Sequence, residues 1–236
     1  MIEIKNLTKK YGQNVVLDGI NLNIKDGESI GILGANGAGK TTLVEIISGV
    51  SDFSNGEINF YNSENEKDNS LQEKIGMQFQ SGSWPFNTRG VDLLNLFVGK
   101  NWKKDKYIEN LLDIFEVTTI IKKRISYCSS GEQQRFNSML SIINKPSVLI
   151  LDELITGLDL KMQIKLINFF DKMRKNEKIT LIVISHIPEE IEQICKRIVV
   201  LNKGTIFIDK TVNEIKKQYG SIRNFLTLYF EGKIND

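Results

Sequence analysis

The sequence predicts an α/β fold with a parallel-sheet core, an antiparallel β subdomain and an inserted helical subdomain. Residues 29–33, 148–151 and 180–184 are continuously apolar, as is typical of parallel strands covered by helices on both faces. Near the N-terminus, apolar residues such as Ile2 and Ile4 instead alternate with charged ones, which indicates half-buried antiparallel strands.

The composition fits one large α/β domain or two small ones. The chain has 236 residues, of which 41% are hydrophobic and 25% charged, so it can bury a sizeable core. Its net charge of +2 excludes a strongly basic nucleic-acid coat protein, and no nucleic acid is expected as a partner. The two cysteines, Cys128 and Cys195, form no disulfide framework or zinc spacing, which suits a reducing compartment. Without a signal-peptide core or a run of about 18 apolar residues, the chain is expected to be soluble.

The organisation of the chain follows from a change of hydrophobic period. Between residues 81 and 145 the period becomes helical, with Ile108, Leu111 and Leu112 on one face. We therefore predict a single domain over residues 1–236. Its parts are a core of residues 1–82 and 146–211, a helical subdomain of residues 83–145, and a short C-terminal helical tail of residues 212–236.

A phosphate-binding loop follows the first apolar strand. Residues 34–41 read Gly-Ala-Asn-Gly-Ala-Gly-Lys-Thr and precede a predicted helix over residues 42–48, which is the P-loop pattern in its strand–loop–helix context. Glycines let successive N–H groups turn toward a polyphosphate, and the helix dipole adds to the field. Lys40 should reach the β- and γ-phosphates, and the Thr41 hydroxyl should bind Mg²⁺. The predicted nucleotide-binding residues of this motif are Gly34, Asn36, Gly37, Ala38, Gly39, Lys40, Thr41 and Thr42.

Acidic residues end the second apolar strand, and the only histidine follows the third. Beside a P-loop, Asp152 is predicted to bind Mg²⁺ directly or through water, and Glu153 to polarise the attacking water. In open α/β sheets ligands bind at the carboxyl ends of the strands. His186 would therefore lie near the γ-phosphate and could hold Glu153 and the water in line.

These motifs, in this order, resemble those of the nucleotide-binding subunits of ATP-binding cassette (ABC) transporters over essentially the whole chain. Tyr11 matches the family's adenine-stacking aromatic, and Gln80 matches the glutamine of the Q-loop. Ser-Ser-Gly-Glu-Gln-Gln-Arg at residues 129–135 resembles the signature motif, and Gly-Leu-Asp at residues 157–159 resembles the D-loop. His186 matches the switch histidine. The signature motif distinguishes this family from other P-loop proteins.

The resemblance implies ATP and Mg²⁺ as ligands and a second nucleotide-binding subunit, identical or homologous, as partner. Gln80 would link Mg²⁺ and the attacking water to the helical subdomain, acting as both a catalytic and a metal-site residue. The signature residues Ser129, Gly131 and Glu132, together with Asp159, would complete the nucleotide site of the other subunit. ATP would then be an interface ligand that closes the dimer, and hydrolysis would release it.

The resemblance also implies a transmembrane permease, and hence a location at the cytoplasmic face of the cell membrane. In the family, permease loops dock in a groove beside the Q-loop. Here that stretch carries Trp84 and Phe86, which either anchor the permease or pack the helical subdomain. The compact stretch after Gly204 resembles cassettes that serve export-type permeases.

Four positions depart from the family pattern: Cys128, Ser130, Leu154 and Leu160. Ser130 replaces a signature glycine, and its Cβ is expected to restrict the backbone and weaken the γ-phosphate contact.

The sequence leaves two alternatives to a transport ATPase open. One is a soluble ABC-type ATPase acting on ribosomes or DNA, although the chain lacks the second cassette and the insertions usual there. The other is a regulatory cassette with impaired hydrolysis, against which Glu153 and His186 argue.

Overall fold

The computed structural model describes residues 1–62, 64–78, 84–85 and 87–234. Within these ranges the strands form two sheets, one of three strands and one of six. The three-stranded sheet is antiparallel and has the order β2-β1-β4. Its strands are β1 (Ile2–Tyr11), β2 (Asn14–Ile24) and β4 (Asn55–Phe60). The buried side chains of Ile2 and Ile4 confirm the alternation predicted for this sheet.

The six-stranded sheet forms the parallel core and has the order β5-β6-β7-β3-β8-β9. Its strands are β3 (Ser29–Leu33), β5 (Ile75–Gln78), β6 (Val148–Asp152), β7 (Thr180–Ile184), β8 (Arg197–Asn202) and β9 (Thr205–Thr211). All neighbours pair in parallel except β8 and β9, which are antiparallel. The three continuously apolar runs thus become the neighbouring strands β6, β7 and β3, so the segments that follow them start at one sheet edge.

Helices cover the sheet and fill the predicted insertion. In chain order they are α1 (Lys40–Ile47), α2 (Gly90–Val98), α3 (Lys106–Ile114), α4 (Ser130–Ile142), α5 (Leu160–Glu177), α6 (Pro188–Ile194), α7 (Val212–Tyr219) and α8 (Ile222–Phe230). The last two lie within residues 212–236, the segment that the sequence predicts as a helical tail. No helix in the described part of the chain is both long and apolar enough to cross a membrane.

Two hydrophobic clusters lie on opposite faces of the parallel sheet. Val148 and Ile150 of β6 join the antiparallel sheet and α1, whereas Leu149 and Leu151 join the helices on the other face. This alternation explains why β6 reads as a continuous apolar run. The second cluster also includes the helices between residues 90 and 142, so the predicted insertion shares its core with the sheet. The boundaries at residues 83 and 145 stay predictions.

A cluster of three phenylalanines fastens the helical segment to α5. The ring of Phe115, which follows α3, lies edge-on at 5.5 Å from that of Phe169 and at 6.2 Å from that of Phe170. Phe115 and Phe170 are fully buried. Edge-to-face pairs of this kind add to the free energy gained from burial. The end of α3 is therefore packed on α5.

Candidate nucleotide-binding and catalytic site

The loop of residues 34–39 joins β3 to α1 and requires glycine at two points. Gly34 has φ +141°, and a Cβ there would lie 2.2 Å from the carbonyl oxygen of Leu201 on β8. Gly39 has φ +100°, and its Cβ would lie 2.6 Å from Leu17 Cδ2. A side chain at either position would displace the loop. Without these side chains the backbone can pass close to the neighbouring strands β8 and β2.

Helix α1 begins at Lys40, two residues earlier than predicted. Its N-cap is Gly39, which has no side chain to accept a hydrogen bond from the first turn. The first-turn N–H groups of an uncapped helix form an anion-binding site, and the helix dipole strengthens it. Thr41 lies in the first turn of this helix and is exposed.

The ammonium of Lys40 folds back over the loop. Lys40 is buried, and its Nζ donates hydrogen bonds to the carbonyl oxygens of Gly34 at 2.8 Å and Ala35 at 3.0 Å. Burial lowers the pKa of Lys40, and the carboxylates of Asp152 and Glu153 oppose that shift. A desolvated cation held by carbonyls is prepared to pair with an incoming phosphate.

Asp152 ends β6 as a buried carboxyl group. Burial is the main cause that raises its pKa to about 6; Glu153 raises it further, and Lys40 lowers it. Its charged form is therefore poorly compensated, which fits a position that binds a cation. In residues 1–62, 64–78, 84–85 and 87–234, no three His, Cys, Asp or Glu side chains form a metal cluster. This donor set fits Mg²⁺, which usually takes one or two protein ligands and completes its shell with phosphate oxygens and water.

Glu153 follows Asp152 and faces the histidine. Its Oε1 lies 3.8 Å from Nε2 of His186, which follows the neighbouring strand β7. Its backbone has φ +53°, in the left-handed region that non-glycine residues rarely adopt. The pKa of His186 is lowered, mainly by burial and then by Lys40, although Glu153 raises it. His186 is therefore neutral above its lowered pKa and can accept or donate a hydrogen bond.

A buried carboxyl group, missed at the sequence level, supports the histidine loop. The Ser185 hydroxyl donates to Oε2 of Glu190 at 2.5 Å and accepts from the backbone N–H of Ile187 at 3.0 Å. Glu190 is fully buried, and burial raises its pKa to about 7. These bonds hold the residues on both sides of His186. The available signal was an acidic residue in the first turn of α6, which alone indicates only a helix start.

The signature sequence forms the start of α4. Ser129 is the N-cap, and its hydroxyl accepts from the Glu132 N–H at 3.2 Å while Glu132 accepts from the Ser129 N–H at 2.8 Å. Glu132 also pairs with Lys123 at 2.9 Å, which is the main cause that lowers its pKa. The carboxylate predicted to bind nucleotide is thus part of a capping box. Its role in nucleotide binding stays a prediction.

Ser130 does not have the backbone effect expected from the sequence. It is the first residue of α4 and has an ordinary helical conformation, which any side chain can adopt. The expectation that its Cβ restricts the backbone is therefore wrong. Gly131 is the tighter position, because a Cβ there would lie 3.2 Å from the carbonyl oxygen of Gly157. The predicted signature and D-loop segments are consequently neighbours within one chain.

The remaining predicted residues lie around this centre. Asp159 is the N-cap of α5 and accepts from the Met162 N–H at 3.1 Å. Tyr11 ends β1 and is about half exposed, with Nζ of Lys9 at 4.7 Å from its ring centroid. An exposed ring is available for stacking on a base. Gln80 lies outside the described residues, and its predicted role stays a prediction.

The structure thus brings Lys40, Asp152, Glu153 and His186 together at the carboxyl ends of three neighbouring strands. The residues of the signature lie at the start of α4, beside the segment of residues 157–159. Sequence reasoning missed Glu190 and also Gln134, whose side chain donates to the backbone of Glu153. A P-loop, a buried Asp and a Glu–His pair at one sheet edge define a P-loop nucleoside triphosphatase.

Comparison with known proteins gives the family. The sequence model of the ABC transporter family matches residues 17–156, more than half of the chain. The spermidine/putrescine import ATP-binding protein PotA of Spiroplasma citri is 32% identical over 241 residues, covering 100% of this chain and 67% of that protein. The uncharacterized ABC transporter ATP-binding protein YhaQ of Bacillus subtilis is 30% identical over 224 residues, covering 93% of this chain and 74% of YhaQ. The chain belongs to the ABC transporter family and is an ABC-type ATPase domain.

Two further comparisons bear on extent and assembly. The methionine import ATP-binding protein MetN of Clostridium tetani is 34% identical over 212 residues, covering 86% of this chain and 66% of MetN. The chain thus spans about two thirds of the length of PotA and MetN. A dimeric structure of the ATP-binding cassette MJ0796 with ADP and Pi has a TM-score of 0.78 and 25% identity, covering 89% of this chain and 98% of that one.

Proposed function

We propose that the chain binds ATP with Mg²⁺ and hydrolyses it to drive a membrane ABC transporter. The observation that carries this proposal is the convergence of the P-loop, Asp152 and the Glu153–His186 pair at one sheet edge. A site of this composition gathers phosphate-binding N–H groups, a cation site and a base for water. Those are the requirements of phosphoanhydride hydrolysis.

The residues of the site divide the work by position. The N–H groups of residues 34–42 and Lys40 hold the phosphates, while Thr41 and Asp152 hold Mg²⁺, which when bound neutralises phosphate charge. The Glu153 carboxylate accepts a hydrogen bond from the attacking water, and His186 keeps the water, Glu153 and the γ-phosphate in line. Tyr11 stacks on the adenine. Each role extends the geometry described above to a bound nucleotide.

A second nucleotide-binding subunit completes each site in this proposal. Ser129 and Gly131 stand at the exposed start of α4, where helix N–H groups and the serine hydroxyl can meet a phosphate held by the other chain. The side chain of Glu132 fixes that helix start, and Asp159 fixes the neighbouring start of α5. The dimeric form of MJ0796 supports an assembly of this kind.

A groove between the sheet and the helical segment suits the permease. It has a volume of about 640 Å³ and is lined by Met77, Trp84, Phe97, Asn137, Leu140 and Lys145, among others. Trp84 is half-buried, packs on the apolar cluster and donates through Nε1 to Asn137 Oδ1 at 3.1 Å. Trp84 therefore packs the helical subdomain, and because it also lines the groove it can still contact the permease. Phe86 lies outside the described residues. Docking here would locate the chain at the cytoplasmic face of the membrane.

The direction of transport is where the sequence expectation and the relatives differ. The compact C-terminal stretch predicts an export-type permease, whereas PotA and MetN are named import proteins. The export expectation therefore stays a prediction. Proteoliposomes that hold the chain and its permease would test it, because the solute accumulates on opposite sides of the membrane in the two cases.

Phosphate release tests the proposed activity. The wild-type chain with ATP and Mg²⁺ should release phosphate steadily, and Glu153→Gln should lower kcat by at least about a hundredfold while ATP still binds. A regulatory cassette with impaired hydrolysis would show the same low rate for both proteins. Co-purification with ribosomes or DNA, and not with a transmembrane protein, would favour a soluble ABC-type ATPase.

A further inference from the structure

Helix α4 turns buried polar side chains toward the core. Gln134, Ser138 and Ser141 all lie on this helix and are buried, although helix faces in a core are normally apolar. Buried polar groups are costly unless they are hydrogen-bonded. Each of these side chains therefore needs a partner, and the partners differ.

Gln134 bonds to the backbone that carries Glu153. Its Nε2 donates to the carbonyl oxygen of Glu153 at 2.7 Å and to that of Leu154 at 3.2 Å. These two carbonyls follow the end of β6, where the chain leaves the sheet and can no longer use the strand ladder. One side-chain amide thus bonds to two successive carbonyls at the turn next to the reacting centre, the first of which also accepts from the Thr156 N–H at 3.3 Å.

The backbone of Glu153 is held from two sides. Its N–H donates to the Ile184 carbonyl of β7 at 2.9 Å, and its carbonyl accepts the shorter bond from Gln134 at 2.7 Å and a longer one from the Thr156 N–H at 3.3 Å. Its φ of +53° is costly for a residue with a Cβ, and such a conformation persists only where the surroundings over-determine it. The direction of the Glu153 side chain, and its 3.8 Å approach to His186, depend on that backbone conformation.

We infer, on the basis of the proposed ATPase function, that Gln134 is a positioning residue that holds Glu153 in its left-handed conformation and so aims its carboxylate at the attacking water. Gln134 lies five residues after Ser129 in the same helix. The helix start that is proposed to meet the nucleotide of the second subunit therefore also fixes the carboxylate of its own site.

Two substitutions remove the Gln134 amide, and they change the packing around it in different ways. Gln134→Met keeps the length of the side chain but has no N–H to donate, and Gln134→Ala leaves room for water to reach the carbonyls. Ser141→Ala is the matched control, because Ser141 is buried in the same helix but its hydroxyl donates to the Ser138 carbonyl of that helix. Melting temperatures would report which variant keeps the native fold, and one folded Gln134 variant is enough for the test.

Steady-state phosphate release and ATP affinity should separate positioning from binding. We expect the Gln134 variants to lower kcat about 10- to 100-fold, because a displacement of about 1 Å at the reacting group has such an effect. The dissociation constant for ATP with Mg²⁺ should change less than about twofold, since the P-loop is not touched. Ser141→Ala should match the wild type in both. Unchanged kcat in a folded Gln134 variant would overturn the inference.

A double-mutant cycle with Glu153→Gln tests whether Gln134 acts through Glu153. In single-turnover measurements, Gln134→Met should cost little further rate once Glu153 has been replaced, because residues that act through one another are non-additive. Full additivity would refute the positioning role. If Glu153→Gln itself retained the wild-type rate, the proposed function would fail. If Glu153→Gln lowered the rate but the Gln134 variants kept the wild-type rate, the proposed function would stand and the positioning role of Gln134 would fail.

Discussion

Replacing Asp152 by asparagine should stabilise the nucleotide-free protein while it impairs Mg²⁺ binding. The carboxyl group is almost fully buried at the end of β6, and its pKa is raised to about 6, first by burial and then by Glu153. The folded state therefore disfavours the charged form. An amide of the same shape removes that charge, and the protein gives up a cation ligand in return.

The size of this gain in stability follows from the raised pKa of Asp152. A rise from 3.8 to about 6 corresponds to about 3 kcal/mol of lost stability when the group is ionised. This figure already includes the attraction of Lys40. Because the folded-state pKa is the higher one, the loss is absent below about pH 4, grows through pH 6 and is complete above it. Asp152→Asn should therefore be about 2–3 kcal/mol more stable than the wild type at pH 8.

Urea unfolding in EDTA, followed by the fluorescence of Trp84 and Trp102, would measure this difference. The free energies of unfolding of the two proteins should converge near pH 4 and diverge by pH 8. Glu190→Gln serves as a comparison, since its divergence should extend to higher pH because the pKa of Glu190 is raised to about 7. A variant no more stable than the wild type at pH 8 would refute the account of Asp152 as an uncompensated buried charge.

Further substitutions probe the loop, the signature and the groove. Gly34→Ala should destabilise the fold by about 2 kcal/mol or more and abolish ATP binding, because its Cβ meets Leu201. The Cβ of Gly37→Ala meets nothing within 4 Å, so that substitution should destabilise the fold less. Equal losses of stability in urea unfolding would contradict this. Ser130→Gly should leave the ATPase rate unchanged or raise it, and a tenfold loss would show that the serine is needed. Trp84→Ala should weaken co-purification with the permease while ATP binding, measured by titration, persists; loss of ATP binding would indicate a purely structural role.

Much of the fold was predictable because the local pattern and the tertiary environment agree. The apolar run of β6 is buried on both faces, and Gly34 and Gly39 of the P-loop are required by close approaches to neighbouring strands. The short strand β5 was not predicted. It has four residues, two of which are glycine and a buried glutamine, so its pairing with β6 decides its conformation more than its own pattern does.

The candidate site was predictable where a motif carries its chemistry in sequence. Lys40, Asp152, Glu153 and His186 were found because each follows a strand of the same sheet. Gln134 was not, since its partner Glu153 lies 19 residues away and is reached only through folding. Glu190 was not, because an acidic residue in the first turn of a helix indicates only a helix start. The backbone of Ser130 was misjudged because glycine in a motif suggested a special conformation, whereas the residue begins an ordinary helix.

A crystal structure of the Glu153→Gln protein with ATP and Mg²⁺ would test the central claim most directly. We predict two chains with the triphosphate between the P-loop of one and Ser129 and Gly131 of the other. Lys40 should bind the phosphates and no longer donate to the carbonyls of Gly34 and Ala35. A loop without nucleotide, with Lys40 still on those carbonyls at saturating ATP, would contradict it.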